Sequence, residues 1–279
     1  MLKYVECPRD SWQGLETFIP TEVKTRYLQT LLDSGFRHLD MGSFVSPKAV
    51  PQLADTEEVL AGLTVPKDAE MLGIVANERG LERALASPKL TSIGYPLSVN
   101  DTFQQRNTNR SLAASWPLVE RMVAEAGRLN LVVYLSMGFG NPYGEAWEPQ
   151  DTARAVAKLR DLSVSQIALA DTVGTATVER LEQVLENIDA PEQLGLHLHA
   201  RPDAWQPQLE VALEHGLRWF EGALAGVGGC PFAGDELVGN LPTELVLPWL
   251  EAKKTTRLVP LETVRALSQN AANLAARYS

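Results

Sequence analysis

The sequence predicts an α/β protein, a single closed (β/α)8 TIM barrel with extra C-terminal helices. Three observations point there. Short β-rich runs alternate with amphipathic helical patterns from one end to the other, giving eight β-then-α units. The units recur at roughly 30-residue spacing, which favours a closed parallel barrel over an open doubly wound sheet. The length of 279 residues suits a barrel, which typically takes about 250. No linker, composition break, low-complexity segment or close repeat interrupts residues 1–279, which therefore read as one domain.

Taken in order, residues 2–5 read as the first strand and 7–13 as the loop after it. Residues 21–34 read as a helix, with Thr21 as N-cap and Gly35 as terminator. Residues 37–42 form strand two and 51–63 a helix stopped by Pro66. Strand three is 71–76, helix three 78–86 and strand four 90–97. The polar run 98–109 reads as a long loop, and long loops in compact domains are usually functional. Residues 112–129 are helical, with Pro117 near the first turns; 131–137 is strand five and 138–149 a Gly- and Pro-rich loop. Helix 151–161, strand 166–171, helix 175–188, strand 194–199, helix 203–215 and strand 218–225 follow. A glycine-rich loop, 226–240, leads to closing helices at 241–252 and 261–277.

Apolar residues make up 45% and charged ones 22%, enough for a large core. The net charge is −10, and no basic cluster stands out beyond Lys253, Lys254 and Arg257. A nucleic-acid partner is therefore not expected. An anionic substrate remains compatible, because a local arginine or metal reverses the field inside a cleft. Cys7 and Cys230 are the only cysteines, so no disulfide framework is expected. The first residues lack the apolar run of a signal peptide, and no stretch approaches the ~20 apolar residues of a membrane span. The expectation is a cytoplasmic protein without a membrane partner.

In a barrel, chemistry sits at the C-terminal ends of the strands, and the unusual polar residues fall there. Arg9 and Asp10 follow strand one; Asp40 and Ser43 close strand two; Asp171 and Thr172 end strand six. His197 and His199 alternate with Leu196 and Leu198 at the end of strand seven. Residues i and i+2 of a strand share a face, so the two imidazoles project together. They read either as polar residues on a wet sheet face or as ligands of one divalent ion. Asp10 reads either as an N-cap or salt-bridge partner of Arg9 or as a carboxylate ligand, with Asn240 a neutral oxygen, a set that leaves positions open for substrate oxygens. Mn²⁺ or Zn²⁺ suits two imidazoles better than hard Mg²⁺. Arg9 reads as a rim residue or as a fixed charge for a carboxylate or thioester oxygen. Cys230 reads as a small packed hydrophobe or as a thiol carried by a mobile lid. Cys7, His38 and His215 read as packing residues.

These residues carry a resemblance to the 3-hydroxy-3-methylglutaryl-CoA lyase family of metal-dependent barrels. Pro8-Arg9-Asp10 with Gln13 is similar to the family's opening motif. Ser43-Phe44-Val45-Ser46-Pro47-Lys48, then Val50-Pro51-Gln52 and Asp55, resembles its second-strand segment. Asp171-Thr172-Val173-Gly174 resembles the strand-six motif, His197-Leu198-His199 the metal histidines, and Gly226 to Pro231 with Asn240 the catalytic cysteine loop.

The resemblance implies a carbon–carbon lyase that cleaves 3-hydroxy-3-methylglutaryl-CoA to acetyl-CoA and acetoacetate, chemistry of leucine degradation and ketone-body formation. Asp10, His197, His199 and Asn240 would bind a divalent metal, Mg²⁺ or Mn²⁺, with Zn²⁺ a further occupant. Arg9 would meet the thioester oxygen, His197 or Asp171 would act near the hydroxyl proton, and Cys230 would act near the enolate carbon. Gln13, Asp40, Ser43 and Thr172 would contact or support an acyl-CoA substrate, and a homodimer would be the assembly. The sequence departs from the family pattern at Val5, Ser11-Trp12, Met137, Asn141 and Ala200-Arg201-Pro202. Those departures leave open a related enzyme for another 3-hydroxyacyl-CoA, a condensing enzyme, or a non-catalytic acyl-CoA- or metal-binding barrel.

Overall fold

The computed structural model describes residues 2–200, 204–228, 238–253 and 259–279. Eight parallel strands follow one another around a closed barrel: β1 (Lys3–Glu6), β2 (His38–Ser43), β3 (Glu70–Ile74), β4 (Ser92–Ser98), β5 (Asn130–Ser136), β6 (Gln166–Asp171), β7 (Gly195–Leu198) and β8 (Trp219–Gly222), with β8 paired back to β1. The helices are α1 (Pro8–Trp12), α2 (Thr21–Asp33), α3 (Thr56–Gly62), α4 (Glu78–Leu85), α5 (Asp101–Thr108), α6 (Leu112–Glu125), α7 (Pro149–Asp161), α8 (Val178–Glu186), α9 (Trp205–Glu214), α10 (Thr243–Ala252) and α11 (Leu261–Tyr278). The expected fold class is therefore observed. Among the described residues, no helix is long and apolar enough to cross a membrane.

Four local readings change. Residues 7–13 hold a short helix, α1, with Pro8 at its first position and Trp12 buried. The run 98–109 is not a loop but contains α5. Asn100 caps it by accepting the Phe103 N–H at 2.8 Å, and Asn109 ends it with a left-handed φ of 53°. Its polar composition hid it, because only Phe103 and Gln104 are buried. The helix expected at 51–63 is a 3-10 turn, Pro51–Leu53, followed by α3. Thr21 is the first residue of α2 rather than its cap, a place taken by Pro20, whose fixed φ suits the entry.

The barrel interior is a small core of its own: Val5, Cys7, Leu72, Val132, Tyr134, Ala168 and Trp219. Two glycines make room for its aromatic rings. A Cβ on Gly195 would lie 2.4 Å from Trp219, and one on Gly94 would lie 2.9 Å from Tyr134. Below this layer Lys3 plugs the N-terminal end, 2.7 Å from Glu70 and 4.3 Å above the Trp219 ring. The interior beneath the strand C-termini is thus filled by these side chains.

Glu6 ties the end of β1 to the chain that leaves β8. Its carboxyl is buried, 2.7 Å from the Leu224 amide and 2.6 Å from the Thr243 hydroxyl. Burial pushes its pKa from 4.5 to about 8. The folded chain therefore binds a proton here over a range in which the unfolded chain does not. That contribution is complete below pH 4.5 and is lost as pH rises through about 8. Glu6→Gln removes this dependence. Urea midpoints should show the variant gaining on the parent between about pH 5 and pH 8. A pH-independent difference would mean that this carboxyl does not titrate as stated.

Candidate metal centre and cavity

Asp10 lies on α1, one turn beyond β1, and is buried. Its Oδ1 accepts Arg9 NH1 at 2.8 Å and Gln13 Nε2 at 2.7 Å, and its Oδ2 accepts Asn240 Nδ2 at 2.7 Å. His197 and His199 project together from the end of β7, their Nε2 atoms 3.2 Å apart. His199 Nε2 is 3.9 Å from Asp10 Oδ2. Asn240 reaches the same place through a β-bridge with His199.

The hydrogen bonds fix which atoms are free. His197 Nδ1 meets the Glu221 carboxylate at 3.0 Å, and His199 Nδ1 meets the Val238 carbonyl at 3.0 Å. Neither partner can donate, so each Nδ1 carries a proton. In their neutral forms the two rings would each turn an Nε2 lone pair toward the other, an arrangement that a shared cation stabilises. Asn240 spends its Nδ2 on Asp10 and on Val227 O, and its buried Oδ1 has no partner among the described residues. A buried acceptor without a donor is uncommon. Two imidazole nitrogens, one carboxylate and one orphaned amide oxygen fit a divalent ion.

Charge supports the same reading. Burial raises the Asp10 pKa, but Arg9, both histidines and Asn240 outweigh it and hold the carboxylate well below its usual range. Burial brings His199 down to about 4, aided by its neighbour His197, so its ring is neutral at working pH. Burial also depresses His197, yet its hydrogen bond and charge contact with Glu221, together with Asp10, carry it above the ordinary value.

Arg9 is the fixed cation of the site. Its Nε donates to Asp40 Oδ2 at 3.0 Å, its NH2 also donates to Asp40, and its NH1 donates to Gln13 Oε1 at 3.1 Å. Asp40 is wholly buried, and burial pushes its carboxyl up to about 6 against the pull of Arg9.

A cavity of about 380 Å³ opens over these groups. Arg9, Asp10, Gln13, Ser43, Thr172, His197 and His199 line it, as do Val45, Val50, Ile74, Pro96 and Phe103 on other walls and Arg106 and Asn107 from α5. Asp40 is not in the lining and touches the cavity only through Arg9. Asp171 is not in the lining either. Its oxygens accept the Thr175 and Ala176 amides, each at 2.9 Å, and hold the turn after β6. Cys230 lies outside the described residues. Cys7 packs in the interior core near the site, its Sγ 3.7 Å from the Val5 carbonyl and 3.9 Å from Glu221 Oε2. His38 pairs with Glu70 at 2.9 Å at the opposite end of the barrel, and His215 meets the Val211 carbonyl, so both lie outside the cluster.

Sequence reasoning missed Glu221 and the α5 wall. Glu221 had a signal: a carboxylate on β8 two residues from Trp219, level with His197 in the strand register.

A closed parallel barrel with a buried nitrogen and oxygen donor set at its strand C-termini, facing a cavity and a partly buried arginine, defines an ion-dependent barrel enzyme. A family model described as HMGL-like matches residues 5–270, and the chain belongs to that family. It is 32% identical over 260 residues to hydroxymethylglutaryl-CoA lyase YngG of Bacillus subtilis, covering 91% of this chain and 86% of the relative. It is also 32% identical over 248 residues to 3-hydroxy-3-isohexenylglutaryl-CoA/hydroxy-methylglutaryl-CoA lyase of Pseudomonas aeruginosa, covering 86% of this chain and 81% of the relative. Among solved structures, an HMG-CoA lyase of A. baumannii in complex with coenzyme A and 3-methylmalate superposes with a TM-score of 0.91 at 31% identity, covering 99% of this chain and 92% of that one.

Proposed function

We propose that the chain is a divalent-metal-dependent hydroxymethylglutaryl-CoA lyase that cleaves 3-hydroxy-3-methylglutaryl-CoA to acetyl-CoA and acetoacetate. One observation carries the reading: Asp10, His197 and His199 converge beside Arg9 at one cavity, and Asn240, its Oδ1 orphaned among the described residues, is bonded to Asp10. Those four residues would hold Mg²⁺ or Mn²⁺. A divalent ion there supplies Lewis acidity, which lowers the pKa of a bound oxygen. Arg9, pinned by Asp40, Asp10 and Gln13, stands against the thioester oxygen and stabilises enolate charge as the acetyl-CoA fragment departs. Ser43, Thr172 and Gln13 line the cavity and orient the substrate's oxygens. Asp171 shapes the β6 turn instead of exchanging protons. An imidazole nitrogen holding an ion has no lone pair left for a proton, so His197 serves as ligand. The proton lost from the substrate's C3 hydroxyl balances the one that the enolate carbon gains, and Cys230 is the donor to that carbon. The same reading takes residues 1–279 as one lyase domain, a cytoplasmic homodimer.

A second reading concerns the acyl group. Val45, Val50, Ile74 and Phe103 give the cavity an apolar side, and one relative is named for a longer-branched substrate as well. The same chemistry on a 3-hydroxyacyl-CoA with an extended C3 branch would use that side.

Release of acetyl-CoA, the product that the two substrates share, tests both. The expected result is release from 3-hydroxy-3-methylglutaryl-CoA with added Mg²⁺ or Mn²⁺, lost with a chelator and restored by excess ion. Release from a longer-branched analogue at comparable kcat/KM would favour the second reading. No carbon–carbon cleavage with either substrate and any ion would leave only a binding role.

A further inference from the structure

Glu221 belongs to none of the groups that line the cavity, yet four side chains aim hydrogen-bond donors at its carboxylate. It sits on β8, 1% exposed, with its register partner His197 on β7. Its Oε1 accepts the Tyr134 hydroxyl at 3.2 Å and the Trp219 Nε1–H at 3.1 Å. Its Oε2 accepts His197 Nδ1–H at 3.0 Å and faces the Cys7 thiol at 3.9 Å. The donors come from β5, β7 and β8 and from the residue after β1.

We infer that Glu221 is a positioning residue that holds the neutral His197 ring in the tautomer whose Nε2 is unprotonated and so open to an ion. This rests on the reading of the histidine pair as an ion site. The alternative tautomer would place a proton on His197 Nε2, aimed at His199 Nε2 only 3.2 Å away. His199 cannot answer by switching, because its own Nδ1–H is committed to the Val238 carbonyl. The two rings would then hydrogen-bond to each other and consume the lone pairs an ion needs. A carboxylate has only acceptors to offer and so excludes that state. Outer carboxylates of this kind orient metal-binding imidazoles in general.

The geometry makes the amide substitution informative. In Glu221→Gln the side-chain oxygen must stay with Trp219, whose Nε1 can only donate. The amide NH2 then turns to His197 Nδ1, which must become an acceptor, and the proton moves to Nε2. Mn²⁺ affinity of the ion-free protein, read by EPR of free Mn²⁺, should fall about 10–100-fold. Histidine ¹⁵N shifts of the ion-free protein at alkaline pH, where the rings are neutral, should show His197 protonated on Nδ1 in the parent and on Nε2 in the variant. Adding Trp219→Phe frees the amide to rotate, so the double variant should regain the Nδ1–H tautomer and part of the lost affinity. A merely structural Glu221 predicts no tautomer change and no rescue.

Parent-level Mn²⁺ affinity in Glu221→Gln with His197 still protonated on Nδ1 would overturn the inference. If that variant does not fold, the parent alone decides: Nε2–H on its neutral His197 overturns the inference, and Nδ1–H supports it. A parent that binds no divalent ion would instead overturn the ion-site reading itself.

Discussion

Arg9→Gln is expected to lower turnover about 10²–10³-fold, the usual cost of removing one donor aimed at developing negative charge, while Mn²⁺ still binds. Two opposing effects keep the ion affinity near the parent's. Losing Arg9 NH1 frees Asp10 Oδ1 from one of its donors, which loosens the ligand; it also removes a positive charge from beside the ion. The net change should stay within about tenfold. The variant will also be less stable. Arg9 and Asp40 form a buried pair, and removing one partner of such a pair costs about 3–5 kcal/mol. Adding Asp40→Asn removes the stranded carboxylate, so the double variant should regain stability without regaining turnover. Urea midpoints, Mn²⁺ titration and acetoacetate release separate the three quantities. Equal losses of ion affinity and turnover would show that Arg9 serves the ion site rather than the substrate.

The barrel was legible because its signals are local. Strand runs of period two and helices with one apolar face announce themselves within a dozen residues, and their alternation fixes the class. α5 escaped because its sequence, Asp101–Thr108, has no apolar stripe: it is held by the Asn100 cap and by Gln104, which reaches the Ser98 amide and Thr108. The histidine pair was legible for the same local reason, being two residues apart on a strand. Asp10 and Asn240 lie 230 positions apart and meet only when β8 closes on β1; family motifs, not periodicity, brought them together. Asp171 shows the limit of position as evidence. It ends a barrel strand as a functional carboxylate would, yet the amides of its own turn take both oxygens. Glu221 showed in the sequence only as a strand carboxylate near Trp219, because its other donors come from three other strands or their ends, none near it in sequence.

Asp10→Asn should have the second large effect, on the ion itself. Asp10 supplies the only negative charge among the four donors, and its carboxylate is held ionised by Arg9, both histidines and Asn240. An asparagine keeps the shape and removes the charge. One of its two terminal positions becomes an NH2 facing groups that only donate, Arg9 NH1 and Gln13 Nε2 on one side or Asn240 Nδ2 on the other. Mn²⁺ affinity should drop by more than the roughly 10–100-fold expected for losing an outer partner of a ligand, and turnover should fall with it at fixed ion concentration. The pH dependence carries an independent sign. Protons compete with the ion for the imidazole nitrogens, so affinity in the parent falls as pH falls through the histidine range. Asp10 raises the pKa of both His197 and His199. Without its charge both rings give up their protons at lower pH, and the fall in Mn²⁺ affinity should move to lower pH in the variant. An unchanged affinity with an unshifted pH profile would remove Asp10 from the ion site, and with it the reason for the two rings to stand so close.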